Sequence, residues 1–303
     1  MIPAIHCSRS SKKWYLSKFP EAIYPCSRME LADYNDKVIR GRHVMEQSTV
    51  AIAGICRDIE DHLPLNVFRV EMLGEMFKDY RVYLYENDSE DGTVKILQRW
   101  KDSNERVDFV SESLGTRKHS NERNSNRMFK LAECRNKILE MIDYHFDYII
   151  LIDLDLSGGW SYEGICNSFG YEGWDFIGSN GLLYGTVDEN NNITEEGDPT
   201  TVGFGKVYYD TWAYREIGHT GVMDSEEIGH KDFKRGEPMN RMICCFGGLG
   251  IYPYNVAKCG AKYDGPDCEH LHFHLDLINR GYSRMYLNPS QITLYSPTDY
   301  MVL

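Results

Sequence analysis

The stretch that decides the fold is Tyr148-Ile149-Ile150-Leu151-Ile152-Asp153-Leu154-Asp155-Leu156. It begins as an unbroken run of aromatic and aliphatic residues, which is typical of a strand buried on both faces of a parallel sheet. Ionised carboxylates are costly to bury without a partner. We therefore expect Asp153 and Asp155 at the open carboxyl end of the strand, where a cation or a ligand can reach them.

The acid-x-acid pair is the first candidate site. Its hard oxygen ligands suit Mg²⁺ or Mn²⁺, and such a metal in turn neutralises a diphosphate. An isolated Asp at the end of a strand also caps the following helix in many α/β proteins. Taken alone, the pair allows both interpretations.

Composition narrows the class of protein. The chain has 303 residues, a net charge of −13 and nine cysteines without a CxxC pair. The charge argues against a nucleic-acid partner, and the cysteine pattern favours reduced thiols and a cytoplasmic location. No apolar run reaches the length of a transmembrane span, and the N-terminus lacks the apolar segment of a signal peptide. We expect residues 1–48 to be an N-terminal extension and residues 49–303 a single domain.

The first half alternates strands with helices. Strands are predicted at 49–56, 80–85, 107–111 and 148–152, with helices from about 63 to 77, from 94 to 100 and from 128 to 142. This alternation predicts an α/β fold with a Rossmann-like, mostly parallel sheet. Arg57, just after the first strand, is either a phosphate or base contact or an ordinary exposed side chain. The acids in Glu86-Asn87-Asp88-Ser89, after the second strand, either bind a ribose or base or cap the next helix.

The second half has a different character and predicts a smaller, mixed sheet. We expect a short strand at 174–178, a hairpin or long loop at 181–207, one buried strand at 242–252, a helix after Glu269-His270 and a last strand at 284–289. The segment from Tyr208 to Arg215 is unusually rich in aromatic residues. It is either a structural cluster or a wall on which a sugar stacks, with Tyr209, Asp210 and Trp212 as acceptor-binding candidates.

These pieces together resemble a nucleotide-sugar glycosyltransferase of the GT-A type over residues 49 to 290. The resemblance lies in the order of Arg57, the Glu86 to Ser89 turn with Asp91-Gly92-Thr93, Arg135-Asn136 and Asp153-Leu154-Asp155. Two segments are similar to segments of the fungal capsule mannosyltransferase group, namely Tyr209-Asp210-Thr211-Trp212 and Cys245-Phe246-Gly247-Gly248-Leu249. Similar sequences also occur among glycosyltransferases of large DNA viruses.

The resemblance implies roles for particular residues. Residues 49–156 would form the nucleotide-binding half and residues 157–303 the acceptor-binding half. Donor binding falls to Arg57, Glu86, Asp88, Arg135 and Asp153, and the metal, Mn²⁺ or Mg²⁺, to Asp153 and Asp155. Glu269 is the expected catalytic base, with His270 at the position where inverting members carry an Asp. GT-A enzymes often add a histidine ligand, and among His270, His272 and His274 we name His272.

The predicted function is metal-dependent transfer of a sugar from a UDP- or GDP-type donor to a hydroxyl of a glycan acceptor. A retaining reaction would not need Glu269 as a base, and the sequence leaves the stereochemistry open. Two alternatives remain. A nucleotidyltransferase also uses metal-binding acids on a parallel sheet, although Gly54 to Asp58 is a poor version of its glycine-rich basic loop. A catalytically degenerate carbohydrate-binding protein on the same frame is the other, because His270 replaces the expected acid.

Overall fold

A computed structural model describes residues 31–116, 125–190, 203–223, 225–229 and 231–295. The helices are α1 (Leu31–Gln47), α2 (Leu63–Gly74), α3 (Thr93–Ser103), α4 (Ser125–Met141), α5 (Tyr162–Phe169), α6 (Ser225–Gly229), α7 (Tyr254–Ala257) and α8 (Glu269–Asn279). The strands are β1 (Thr49–Cys56), β2 (Asp79–Asn87), β3 (Val107–Glu112), β4 (Tyr148–Ile152), β5 (Gly159–Trp160), β6 (Phe176–Val187), β7 (Gly203–Tyr208), β8 (Arg215–Glu216), β9 (Asn240–Cys244), β10 (Leu249–Pro253) and β11 (Met285–Tyr295).

The described strands form one continuous sheet in the order β3-β2-β1-β4-β10-β6-β11-β9-β8, with β5 paired to β11 and β7 to β6. The first four strands of this path are parallel, as the alternation of strands and helices predicts. From β10 onward the sheet is mixed. Strand β10 runs antiparallel to both β4 and β6, whereas β6 and β11 are parallel. The predicted α/β class is confirmed, and the mixed strands of the second half extend the same sheet.

Strand β4 is buried on both faces, as its composition predicts. Alternate side chains of a strand point to opposite faces of the sheet. Ile149 and Leu151 accordingly pack in one apolar cluster with α4 and α8, and Ile150 and Ile152 pack in a second cluster with α2 and α5. The strand ends at Ile152, so the two acids that follow it lie at the carboxyl edge of the sheet.

The strand predicted over 242–252 is wrong, because the structure divides it into β9 and β10. Gly247 and Gly248 between them have φ angles of +60° and +83°, a backbone region that glycine adopts without strain. A Cβ atom at Gly247 would lie 2.3 Å from the carbonyl oxygen of Ser179. This turn therefore needs glycine for both its conformation and its close packing, and it brings Phe246 to the carboxyl edge of β4.

The last strand was predicted to end at Pro289 but continues to Tyr295. Proline lacks the N–H that a ladder requires, which is why the sequence indicated an end there. The structure accommodates Pro289 in a shift of register between Asn288 and Ile292. Past this irregularity the strand carries Tyr295 to the same edge of the sheet as β4.

Helix α1 lies within the segment predicted as an extension and packs on α5. A Cβ atom at Gly41 would lie 1.7 Å from the carbonyl oxygen of Cys166, so the two helices approach closely. Arg235 adds a polar clamp by donating to Tyr34 of α1 and to Glu163 of α5. Residues 1–30 lie outside the described part of the chain. Among the helices that the structure does describe, none combines the length and the apolar character required to cross a membrane.

Candidate active site

A cleft of about 630 Å³ lies at the carboxyl edge of the parallel strands. Strands β1, β2 and β4 all end there, and the turn before β10 and the end of β11 border it. Carboxyl ends of parallel strands are the usual place for ligands in open α/β sheets. Site residues predicted from the sequence that line the cleft are Arg57, Arg135, Asp153, Asp155, Tyr209, Asp210, Trp212, Glu269 and His270.

Arg135 joins two of the predicted carboxylates. Its Nε donates to Oε1 of Glu269 at 2.8 Å, and its Nη2 donates to Oδ1 of Asp153 at 3.1 Å. Although burial acts to lower it, these two carboxylates raise the pKa of Arg135. Helix α4 thus carries a fixed positive charge to the end of β4, and Arg135 binds there a carboxylate that lies 134 positions later in the sequence.

The pKa of Asp153 is raised to about 6 by burial, against the effect of Arg135, while repulsion from Asp155 raises it further. Asp155 faces the open cleft but is crowded by protein atoms, and this desolvation also raises its pKa, while a hydrogen bond from Tyr295 opposes the shift. Tyr295 packs against Tyr209 with ring centroids 3.8 Å apart. Burial of the two acids and the repulsion between them therefore disfavour their ionised forms, and a bound cation would offset this cost.

The loop that holds Asp155 is anchored from behind by helix α2. Asn66 donates to the carbonyl oxygens of Leu154 and Leu156, at 2.7 and 3.1 Å. Arg69 donates to Asn66 and to the carbonyl oxygens of Leu156 and Ser157. Both side chains are buried. Because the anchored carbonyls lie on both sides of Asp155, these bonds fix the backbone that presents its carboxylate.

Asp210 lies on the opposite, C-terminal side of the cleft and is partly exposed to it. Its Oδ2 accepts from the N–H of Gly247 at 2.9 Å, and its Oδ1 from that of Ala213 at 3.4 Å. Its φ angle is +65°, an uncommon value for a residue other than glycine. Burial and repulsion from Asp153 and Glu269 raise its pKa to about 7, while the bond from Gly247 opposes the shift.

The segment around Asp210 is held rigidly. The buried Arg215 donates to the carbonyl oxygens of Trp212 and Tyr214, and it pairs with Asp267 at 2.9 Å. The indole N–H of Trp212 donates to the same Asp267 at 3.3 Å. Tyr209, Asp210 and Trp212 therefore line the cleft together on one anchored segment.

The three histidines of helix α8 have different surroundings. His270 lines the cleft, stacks on Phe246 with ring centroids 3.8 Å apart, and is 3% exposed. Burial and the nearby Arg135 lower its pKa, so the imidazole is neutral. His274 is buried between Tyr252 and the carbonyl oxygen of Ile243. His272 is partly exposed on the helix and does not line the cleft.

Two predicted donor-binding acids lie beside the cleft and support its wall. Glu86 is buried and accepts from the N–H of Ser89 at 2.7 Å. Asp88 accepts from the N–H groups of Leu114 and Gly115. A hydrogen bond from the side chain of Thr116 is the main cause that holds the pKa of Asp88 below its usual range, and the bond from Gly115 contributes. Asn87, between these two acids, lines the cleft itself.

Arg57 lines the cleft just after the end of β1, and its Nη1 donates to Thr116 at 3.3 Å. It is 4.0 Å from Asp88. Arg127 and Lys130, from the start of α4, line the same cleft. These three cations bring positive charge to the same cleft as Asp153 and Asp155.

The carboxylates fit a divalent metal only in part. Their oxygen atoms are the ligands that Mg²⁺ and Mn²⁺ prefer. However, Asp153 already accepts from Arg135, and in the described ranges no group of three or more His, Cys, Asp or Glu side chains could hold a metal ion. Asp155, with help from Asp153, could hold a cation whose remaining ligands are water and phosphate oxygens. This is the usual arrangement for Mg²⁺ bound with a nucleotide.

Sequence reasoning did not single out Asn87, Arg127 or Tyr295 as cleft residues. The alternation of side chains along a strand offered a signal for Asn87, because it must face away from Glu86. Tyr295 offered no local signal, since only the long course of β11 brings it to Asp155.

No protein-family model matches the sequence, and no curated protein matches it. Solved structures give similarities to glycosyltransferases. One is the mannosyltransferase PcManGT of Pyrobaculum calidifontis, solved with GDP-Man and Mn²⁺, with a TM-score of 0.44 and 10% identity over 88% of this chain. Another is S. aureus TarS 1-349 with UDP-GlcNAc, with a TM-score of 0.45 and 12% identity over 82% of this chain. GalNAc-T7 with UDP, GalNAc and Mn²⁺ gives a TM-score of 0.45 and 10% identity over 83%.

This chain spans less than two thirds of each of these three structures, namely 66%, 58% and 44% of their lengths. All three TM-scores lie below 0.5. At this level of similarity, we base the proposed activity, substrates and partners of the chain on the residues of the cleft.

Proposed function

We propose that this chain is a GT-A-type glycosyltransferase that moves a sugar from a nucleoside-diphosphate donor to a hydroxyl of a glycan acceptor, with Mn²⁺ or Mg²⁺ as cofactor. The observation that carries the proposal is the composition of one cleft. It combines the Asp153 and Asp155 pair with the cations Arg57, Arg127 and Lys130 and with the aromatic wall around Asp210, where Arg127 lies 5.7 Å from the ring centre of Trp212. A donor with a charged diphosphate and a neutral sugar needs both kinds of surface.

The donor would lie along the carboxyl ends of β1, β2 and β4. Asn87 is placed to contact the nucleoside, while Glu86 and Asp88 shape the turn and loop around it. Arg57 would contact phosphate. Asp155 and Asp153 would hold the metal, which supplies positive charge to the leaving diphosphate. The acceptor sugar would stack on the Tyr209 and Trp212 side.

Two carboxylates, Glu269 and Asp210, lie at the acceptor side, and Glu269 was the sequence-based choice for the base. Arg135 would fix the position of Glu269 and of Asp153 at once, because it binds both. A neutral His270, stacked on Phe246, adds no charge at this point. The retaining or inverting outcome follows from where the acceptor enters relative to the donor.

A degenerate carbohydrate-binding protein is the second candidate, and one observation favours it. Arg135 already forms ion pairs with Asp153 and Glu269, two of the acids that an active enzyme would use. Such a protein would bind a glycan on the aromatic wall without requiring a nucleotide or a metal.

Calorimetry with UDP-, GDP- and dTDP-sugars, with and without Mn²⁺, tests the proposal. We expect one donor class to bind wild type in the presence of metal, and we expect binding to be lost in Asp155→Ala. Asp102→Ala, an exposed acid on α3, is the matched control and should bind as wild type does. Release of the nucleoside diphosphate should then depend on an added glycan. Glycan binding without any nucleotide-sugar binding would instead support the degenerate protein.

A further inference from the structure

The acceptor side of the cleft presents two carboxylates in unlike surroundings. Glu269 is 4% exposed, and its Oε1 accepts from Arg135 and lies 3.6 Å from Nε2 of His270. Asp210 is partly exposed to the cleft. In the described ranges no Lys, Arg or His nitrogen forms an ion pair with it. The carboxylate of Glu269 is thus already engaged by a guanidinium, whereas that of Asp210 has no charged partner in the same ranges.

The oxygens of Asp210 are oriented but not saturated. Each oxygen of a carboxylate can accept more than one hydrogen bond. Oδ2 accepts from Gly247 and Oδ1 accepts weakly from Ala213, so both oxygens keep capacity toward the cleft. Burial and the charges of Asp153 and Glu269 also raise the pKa of this group to about 7, where a base works most effectively at neutral pH.

The backbone at Asp210 indicates a constrained position. Its φ angle of +65° costs free energy for a residue with a Cβ atom, and such strain often accompanies functional sites. The anchors on this segment hold the conformation, since Arg215 binds the carbonyl oxygens of Trp212 and Tyr214. The carboxylate is thereby held next to the aromatic side chains of the acceptor wall.

Resting on the proposed function, we propose that Asp210, and not Glu269, is the catalytic base that takes the proton of the acceptor hydroxyl. As the acceptor oxygen forms its bond to the anomeric carbon, the bond from that carbon to the phosphate oxygen breaks. The diphosphate leaves with the electron pair, and the hydroxyl proton passes to the carboxylate of Asp210. Glu269 is a positioning residue, which holds Arg135 in place beside Asp153.

The φ angle makes two clean variants available. Asparagine and glycine both adopt left-handed backbone conformations, so neither should strain the turn. Asp210→Asn keeps the shape of the side chain and an oxygen that can accept from Gly247, but it cannot take a proton. Asp210→Gly removes the side chain and leaves space for a small carboxylate from solution.

The test is steady-state transfer by the full chain with the donor, metal and acceptor found for wild type. We expect Asp210→Asn to lower kcat by roughly 10²- to 10⁴-fold, the usual contribution of a general base, with the Kd for the donor unchanged by calorimetry. Formate should restore part of the rate of Asp210→Gly, whereas chloride at equal ionic strength should not. Glu269→Gln should lower kcat at least tenfold less than Asp210→Asn, and Asp276→Asn on the outer face of α8 should match wild type.

The inference is overturned if Asp210→Asn transfers within threefold of wild type, if formate leaves Asp210→Gly unchanged, or if Glu269→Gln has the larger loss. Circular dichroism and the melting temperature verify that each variant is folded. If wild type itself transfers no sugar from any donor, the proposed function has failed, which is a different result from an active wild type with an active Asp210→Asn.

Discussion

Arg135 is the charged partner of Asp153, at the end of β4, and of Glu269, at the start of α8. It is buried, it binds Glu269 and Asp153, and its guanidinium lies 5.1 Å from the ring centre of Phe246. A buried ion pair adds little net stability compared with apolar residues, but the loss of one partner leaves the other charge buried and unpaired. The side chain of Arg135 therefore affects both the stability of the folded protein and the charge balance of the site.

The first prediction follows from this dependence. Arg135→Met keeps the length of the side chain and removes its charge, so it should lower the free energy of unfolding by about 3–5 kcal/mol. Urea denaturation at neutral pH measures the change. Arg42→Met, on the exposed side of α1, is the matched control and should unfold at the same urea concentration as wild type. An Arg135 variant as stable as its control would show that Glu269 and Asp153 find other partners.

A second prediction concerns the pH dependence of stability through Asp210. Its pKa rises from 3.8, the ordinary value, to about 7 in the folded protein. Between these values the folded state binds a proton that the unfolded state has released, so this group's contribution to stability falls as pH rises. Removing the group with Asp210→Asn should shift the stability difference from wild type in favour of the variant by about 2–3 kcal/mol from pH 5 to pH 8.

Urea titrations of metal-free wild type and Asp210→Asn at both pH values give this difference. Taking the difference cancels the opposite effect of His270 and His274, whose lowered pKa values make stability fall as pH drops. A stability difference independent of pH would mean that Asp210 is ionised throughout this range.

At the scale of elements, helix α2 fixes the position of the loop that carries Asp155. Asn66 supplies two of the bonds to the backbone around Asp155, and it also orients Arg69. Both residues are more than 80 positions earlier in the sequence than the carbonyls they bind. Close positioning of a site by such supporting bonds is a common requirement for tight binding.

The third prediction tests this support. Asn66→Ala leaves the buried carbonyls of Leu154 and Leu156 without their donor and should cost about 2–4 kcal/mol of stability. It should also weaken metal-dependent donor binding by roughly tenfold, since displaced second-layer partners typically have effects of this size. Calorimetry and urea denaturation measure the two effects. Gln98→Ala, at an exposed position of α3, should change neither, and normal donor binding by Asn66→Ala would refute the anchoring role.

At the scale of the molecule, one sheet joins the first and second halves of the chain. Strand β10, from the second half of the chain, inserts between β4 and β6 and pairs with both. The side chains of β4 also pack in clusters that include residues from both halves. We propose accordingly that residues 49–303 form one domain, and that 49–156 and 157–303 are regions of it that differ in the ligand they contact.

The fourth prediction is that the described halves unfold together. Differential scanning calorimetry should show a single transition whose calorimetric and van't Hoff enthalpies agree. Binding of the donor with metal should raise the melting temperature of that whole transition. Two separable transitions, of which only one responds to the donor, would place a domain boundary near residue 156 and contradict a single domain.

The parallel arrangement of β1 to β4 could be predicted from the sequence alone. The β-branched run of Tyr148–Ile152, the helical periodicities between the strands and the acids at Asp153 and Asp155 are local features, and local patterning of apolar residues sets strand and helix. The placement of Arg57, Arg135 and Glu269 in one cleft also agrees with the order of motifs. Arg57 follows a predicted strand, Arg135 lies within a predicted helix and Glu269 starts one.

The arrangement of the second half around the cleft depends on tertiary contacts that local sequence patterns do not reveal. Gly247 and Gly248 split one apolar run into β9 and β10, and Pro289 lies within a bulge and does not end β11, because turns and register shifts depend on contacts with other strands. The same holds for charge. The sequence shows Glu269 and Asp210 alike as acids. Contacts between segments distant in the sequence pair Glu269 with Arg135 and leave Asp210 with the N–H groups of Gly247 and Ala213.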